Sequence, residues 1–125
     1  MKILLVEDDP NIQTIAMLAL TRVGKHEVVV AKDGVETLNI VKDVKPDLIL
    51  LDVMMPVLNG FETCKRLKED AETAEIPVIF LTARAQAHEI QHGISIGAIG
   101  YILKPFDPMT LHLEIDKVMK HHEAA

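Results

Sequence analysis

The chain is poor in several things at once. It has no tryptophan, one tyrosine and three phenylalanines, so aromatic residues make up 3% of its 125 residues. Stacking on nucleobases needs aromatic platforms, and they are scarce here, which argues against it. Basic residues are outnumbered, 13 Lys and Arg against 19 Asp and Glu, for a formal net charge of −6. Such a chain lacks the electropositive face that a phosphate backbone requires, so no direct nucleic-acid binding is expected. Cys64 is the single cysteine. It has no partner for an internal disulfide, and its apolar helical neighbours suggest a buried thiol. No apolar run approaches the roughly 18 residues of a membrane-spanning helix. The start, Met1 to Glu7, is short and soon acidic, unlike a secretory signal. A cytoplasmic protein without membrane insertion is the natural reading. Repeats, low-complexity tracts and linkers are also missing. One domain over residues 1–125 is therefore expected, with any output domain outside this sequence.

What is present is a set of short apolar runs separated by helical patterns. Hydrophobic residues make up 49% of the chain, enough for an ordered core. Ile3 to Val6, Val28 to Val30, Leu48 to Leu51, Pro77 to Leu81 and Gly100 to Leu103 read as strands. Leu48 to Leu51 has no polar alternation, as in a parallel strand covered on both faces. Asp9-Pro10 pairs an N-cap with a proline at the first helical position, and Asp107-Pro108 repeats the signal. The first helix carries a stripe of Ile12, Ile15, Ala16, Ala19 and Val23 and ends at Gly24. The second opens at Asp33-Gly34, carries Val35, Leu38, Val41 and Val44, and stops at Pro46. Phe61, Cys64 and Leu67 mark the third, with Glu62–Arg66 and Lys65–Glu69 as supporting pairs. The fourth, near residues 85–96, is the weakest, with a thin stripe interrupted by Gly93. Leu111, Ile115, Val118 and Met119 belong to the last helix. Strands alternating with helices predict an α/β fold, a doubly wound five-stranded parallel sheet of order 2-1-3-4-5 with five helices.

In that topology the carboxyl ends of the strands share one rim, and each strand that matters ends on a functional group. These are Glu7 and Asp8, then Asp52, then Thr82, then Lys104. Alone, Asp52 would be a turn residue, Lys104 a solvated charge and Thr82 an ordinary strand-end hydroxyl, while Asp8 or Asp9 could serve only as caps. Together they bring three carboxylates and one ammonium to a single place. Crowded carboxylates repel unless a cation neutralises them. Mg²⁺ suits such a site, taking one or two carboxylates, a backbone carbonyl such as that of Met54, and phosphate or water oxygens. An aspartate can then act as nucleophile and form an acyl phosphate, with Lys104 neutralising charge. His88 and His92 are four apart, a zinc-compatible spacing, but no third ligand is evident.

The ordered set Glu7-Asp8, Leu51-Asp52-Val53-Met54-Met55-Pro56, Asn59-Gly60, Leu81-Thr82-Ala83 and Tyr101-Ile102-Leu103-Lys104-Pro105-Phe106 resembles the receiver domain of two-component response regulators along the whole chain. The resemblance implies a flavodoxin-like fold and a phosphorylation-controlled switch. It implies Asp52 as phosphoacceptor, Glu7 and Asp8 as the acidic pair that holds Mg²⁺, and Asp9 as the cap. It also implies Lys104 at the phosphoryl group with a cis bond to Pro105, and Thr82 with Tyr101 as the switch pair. The implied partners are a sensor histidine kinase or histidine phosphotransfer protein and a downstream protein or output domain. Such a chain catalyses only its own phosphorylation and dephosphorylation. Ile99-Gly100 stands where many transcriptional relatives have an acidic pair, which argues against their charge-paired dimer. Met54 and Arg84 occupy the positions that tune acyl-phosphate lifetime, and Met54, lacking a polar group to orient water, implies slow self-dephosphorylation.

Two rivals are weaker. An aspartyl phosphatase or phosphotransferase would carry a second aspartate two residues after the first, where Met54 stands. A flavin or nucleotide binder would need a Gly- or Ser/Thr-rich loop after the first strand, where three acids stand instead.

Overall fold

The computed structural model describes residues 1–83 and 86–124. Its strands are β1 (Lys2–Val6), β2 (Glu27–Ala31), β3 (Leu48–Asp52), β4 (Val78–Thr82) and β5 (Gly100–Leu103). Its helices are α1 (Pro10–Leu18), α2 (Gly34–Val44), α3 (Gly60–Glu69), α4 (Ala87–Ser95) and α5 (Leu111–Ala124). The strands form one sheet of order β2-β1-β3-β4-β5 with every neighbouring pair parallel, as expected. Parallel neighbours need crossovers, and the helices supply them on both faces. Every residue of β3 and of β4 is buried, which is why their sequences do not alternate.

Two apolar clusters flank the sheet. Ile3, Leu5, Leu48, Leu50, Ile79 and Leu81 face α1 and α5, meeting Ala16, Leu20, Leu111 and Ile115. Leu4, Val6, Ile49, Leu51, Val78 and Phe80 face the other way, meeting Val41, Cys64 and Leu67 of α2 and α3. The period of two along each strand thus divides the side chains between the layers.

The helix starts follow their caps. The Asp9 carboxylate accepts from the backbone N–H of Asn11 at 2.8 Å, with Pro10 opening α1. Asp33 accepts from Glu36 N–H at 2.8 Å and Asn59 from Glu62 N–H at 2.9 Å. Asp107 accepts from Met109 N–H at 2.8 Å, but the regular helix begins only at Leu111, after a turn. The helical stripes depart from expectation in two places. Ile15 and Val35 are exposed rather than core. After Leu18 the chain widens into a π-helical turn, Ala19–Val23, before Gly24. The wider turn shifts the helical phase and brings Leu20, outside the expected stripe, into the core. Of the two expected pairs on α3, Glu62–Arg66 forms at 3.4 Å, and Lys65–Glu69 is not among the ion pairs of the described residues. Arg84 and Ala85 lie outside those residues; α4 begins at Ala87.

Candidate functional site

Sheet register sets the site. Val6 is level with Leu51, Asp52 with Leu81, and Thr82 with Leu103. Glu7 and Asp52 therefore leave the edge at one level, Thr82 one residue beyond it and Lys104 two. Backbone bonds hold these ends in line: Glu7 N–H donates to Ala31 O at 3.1 Å, and Val53 N–H to Leu81 O at 3.1 Å. Lys104 N–H donates to Thr82 O at 2.8 Å. The Lys104–Pro105 bond is cis.

The Lys104 ammonium bridges two carboxylates, 2.8 Å from Glu7 Oε2 and 3.1 Å from Asp52 Oδ1. Glu7 and Asp52 are 1% and 3% exposed, so this contact is shielded from solvent. Asp52 Oδ1 also accepts from Met54 N–H at 3.3 Å, and Glu7 Oε1 from Asp9 N–H at 3.4 Å. Asp8 is exposed at the lip. Glu7, Asp8 and Asp52 each offer an oxygen, and those oxygens lie within 4.8 Å of one another.

One ammonium does not balance this much negative charge. Burial pushes the Glu7 carboxyl up to about 7, and the nearby Asp52 charge adds to the rise against the Lys104 hydrogen bond. Burial likewise raises Asp52, with Lys104 opposing it. For Lys104, burial would lower the pKa, but its bond to Glu7 and the charge of Asp52 win and hold it above the ordinary value. Two buried carboxylates that resist ionisation, beside a third at the lip, make a site short of positive charge. Its donors are all hard oxygens, which suit a hard divalent cation. These three acids could hold a metal ion.

Beside Asp52 lies a cavity of about 420 Å³ lined by Val53, Met54, Asn59, Phe61, Thr82, Ala83 and Glu89. Thr82 thus opens onto the space next to the aspartate. Met54 is 77% exposed. Tyr101 does not join this group. Its hydroxyl donates to the carbonyls of Glu89 at 2.7 Å and Ile90 at 3.1 Å on α4. Neither His88 nor His92 belongs to a metal-competent cluster among the described residues. His92 instead packs edge-on against Phe61, with centroids 4.9 Å apart.

One supporting residue escaped the sequence reading, and a second, Gly60, was noted there only within the Asn59-Gly60 motif. The Gln13 side-chain amide, one turn into α1, donates to the Glu7 carbonyl at 2.5 Å. Nothing in the spacing distinguishes Gln13 from a solvated helix residue. Gly60 sits where a Cβ would collide with the Asp52 carbonyl oxygen and lie 2.8 Å from Val53 Cα. A glycine directly after an N-cap was a visible signal for such a close approach.

Comparison with known proteins agrees with this geometry. The family model described as "Response regulator receiver domain" matches residues 3–116. The chain is 40% identical over 121 residues to the transcriptional regulatory protein AfsQ1 of Streptomyces coelicolor, covering 97% of this chain and 52% of that one. It is 37% identical over 124 residues to the alkaline phosphatase synthesis transcriptional regulatory protein PhoP of Bacillus subtilis, covering 99% of this chain and 50% of that one. The chain thus spans about half the length of these curated relatives. Among solved structures, the chemotaxis response regulator CheY4 of Vibrio cholerae superposes with a TM-score of 0.88 at 33% identity, over 94% of this chain and 97% of that one. With strand order, rim chemistry and family model in agreement, the chain belongs to the response regulator receiver domains.

Proposed function

We propose that this chain accepts a phosphoryl group on Asp52 and thereby switches between two conformations. The observation that carries the proposal is the Lys104 ammonium shared between Asp52 and Glu7 at the carboxyl rim. A half-buried lysine paired with a buried aspartate, next to a cavity, is an arrangement for stabilising negative charge that builds up at that aspartate.

Glu7, Asp8 and Asp52, with the Met54 backbone carbonyl, are the groups that would hold Mg²⁺. When bound, the ion supplies the charge neutralisation that phosphoryl transfer requires. The remaining steps belong to the chain. Asp52 attacks phosphorus, an Asp52 O–P bond forms, and the bond to the donor breaks. Where the donor is a phosphohistidine, the imidazole leaves with the bonding pair. Lys104 turns from its carboxylates to a phosphoryl oxygen. Thr82, which lines the cavity, moves its hydroxyl toward the same group. The added charge then favours one of two arrangements of α4 and β5, with Tyr101 reporting the change.

The reading makes residues 1–125 one receiver unit that catalyses only its own modification and hydrolysis. A sensor histidine kinase or histidine phosphotransfer protein supplies the phosphate, and a downstream protein or output domain reads it, in the cytoplasm. The described residues contain no helix long and apolar enough to cross a membrane. The test is incubation with Mg²⁺ and a small acyl phosphate, followed by intact-mass and hydroxylamine analysis. One added phosphate, lost on hydroxylamine treatment, is expected. Asp52→Asn and chelation of Mg²⁺ should each abolish it. A wild-type protein that stays unmodified with both small donors and histidine kinases would refute the proposal.

A further inference from the structure

Gly93 lies within α4, and it is the buried residue of that helix. Its lack of a side chain is occupied space. A Cβ built there would run into the Tyr101 hydroxyl, with Tyr101 Cζ at 2.9 Å and Phe80 Cε2 at 3.0 Å. The hydroxyl that fills the position is tied to two carbonyls of the preceding turn, Glu89 and Ile90. Tyr101 also packs on Phe80, with centroids 5.6 Å apart, and Phe80 packs edge-on against Phe61 at 5.1 Å. Phe61 lines the cavity beside Asp52. Three of the four aromatic residues of the chain thus form one file from that cavity to α4.

We propose that Gly93 is the positioning residue of Tyr101. The gap at position 93 is what lets the ring stand inward and staple β5 to α4. Filling the gap drives the ring outward onto the surface of β5. This rests on the reading of Tyr101 as reporter of Asp52 phosphorylation and adds what sets its resting place. The glycine lowers the intrinsic helix propensity of α4, and the ring it admits compensates by fastening that helix to the sheet.

The chain carries its own probe. With one tyrosine and no tryptophan, its intrinsic emission comes from Tyr101 alone. In the full chain, acrylamide should quench the half-buried wild-type tyrosine less than in the denatured chain. Gly93→Ala should raise the quenching constant several-fold and lower Tm, although alanine is the better helix former. Because the hydroxyl is the first atom a Cβ meets, adding Tyr101→Phe should recover part of the Tm lost to Gly93→Ala, while the ring carbon at 2.9 Å keeps the rest. A small acyl phosphate with Mg²⁺ should still modify Asp52 in Gly93→Ala, but leave its tyrosine exposed. Wild-type quenching in Gly93→Ala would overturn the assignment. So would an equal Tm loss with and without Tyr101→Phe, or full protection of the tyrosine on phosphorylation of Gly93→Ala. Should Asp52 of the wild type take no phosphate, the reporter reading falls while the quenching and Tm results still judge Gly93.

Discussion

Asp52 and Cys64 are both buried and ionisable, yet they call for opposite behaviour. Asp52 is held by Lys104 and by Met54 N–H, while burial keeps its pKa above the ordinary value. Its negative charge therefore costs the folded state something before any cation arrives. Asp52→Asn keeps the shape, removes the charge and leaves the Lys104–Glu7 bond in place. In chelator at pH 7 the variant should melt at a higher temperature than the wild type, even as it loses phosphate acceptance. An unchanged or lower Tm would show that Lys104 already offsets the penalty. Cys64 has no ion pair of that kind, and the Lys68 charge only partly opposes its burial. Burial pushes its thiol up to about 11, and its Sγ lies 3.9 Å from the Ile96 carbonyl. The thiolate is the reactive form. Ellman's reagent at pH 7 should therefore label the native protein only as fast as it opens and should label it at once in denaturant. Rapid native labelling would contradict the packing of α3.

At the scale of elements, α3 and α4 differ in how they are fastened. Helix α3 has the Asn59 cap, buries Cys64 and Leu67, and brings Gly60 against the backbone of Asp52. Asn59→Ala should cost about 1 kcal/mol in denaturant unfolding. Gly60→Ala should cost more, because backbone rather than a flexible side chain stands in the way. Helix α4 is capped by Gln86 without a side-chain hydrogen bond and buries little beyond Gly93. Native-state hydrogen exchange should find its amides far less protected than those of β3. Equal protection would remove α4 as the element that moves. The strand runs were legible because a fully covered parallel strand leaves an unbroken apolar signature. The helix faces were less so. Val35 has the right spacing for the α2 stripe but is exposed, while Thr37 is buried, its hydroxyl donating to the Asp33 carbonyl. Leu20 was missed because a π-helical turn has no sequence signal. Gly93 looked like a defect because the tyrosine that fills its space lies eight residues away on another element.

At the scale of the molecule, the rim was legible because a parallel sheet turns four distant strand ends into one place. Which groups pair there was not, since that depends on side-chain reach across strands. Folding brings Glu7, Asp52 and Lys104 together from three strands, and so it changes how the whole protein binds protons. The Glu7 pKa rises from 4.5 to about 7 on folding. Between those values the folded state holds more protons than the unfolded state, so stability contributed by Glu7 is complete below about 4.5 and is lost as pH rises through about 7. Asp52 acts in the same direction. His26, whose pKa is lowered chiefly by burial, acts in the opposite direction. A divalent cation competes with protons for the same carboxylates. The Tm gained on adding Mg²⁺ over chelator should therefore be larger at pH 7.5 than at pH 5, and His26 largely cancels in that difference because it lies outside the carboxylate cluster. A gain independent of pH would mean that the cation binds away from Glu7 and Asp52.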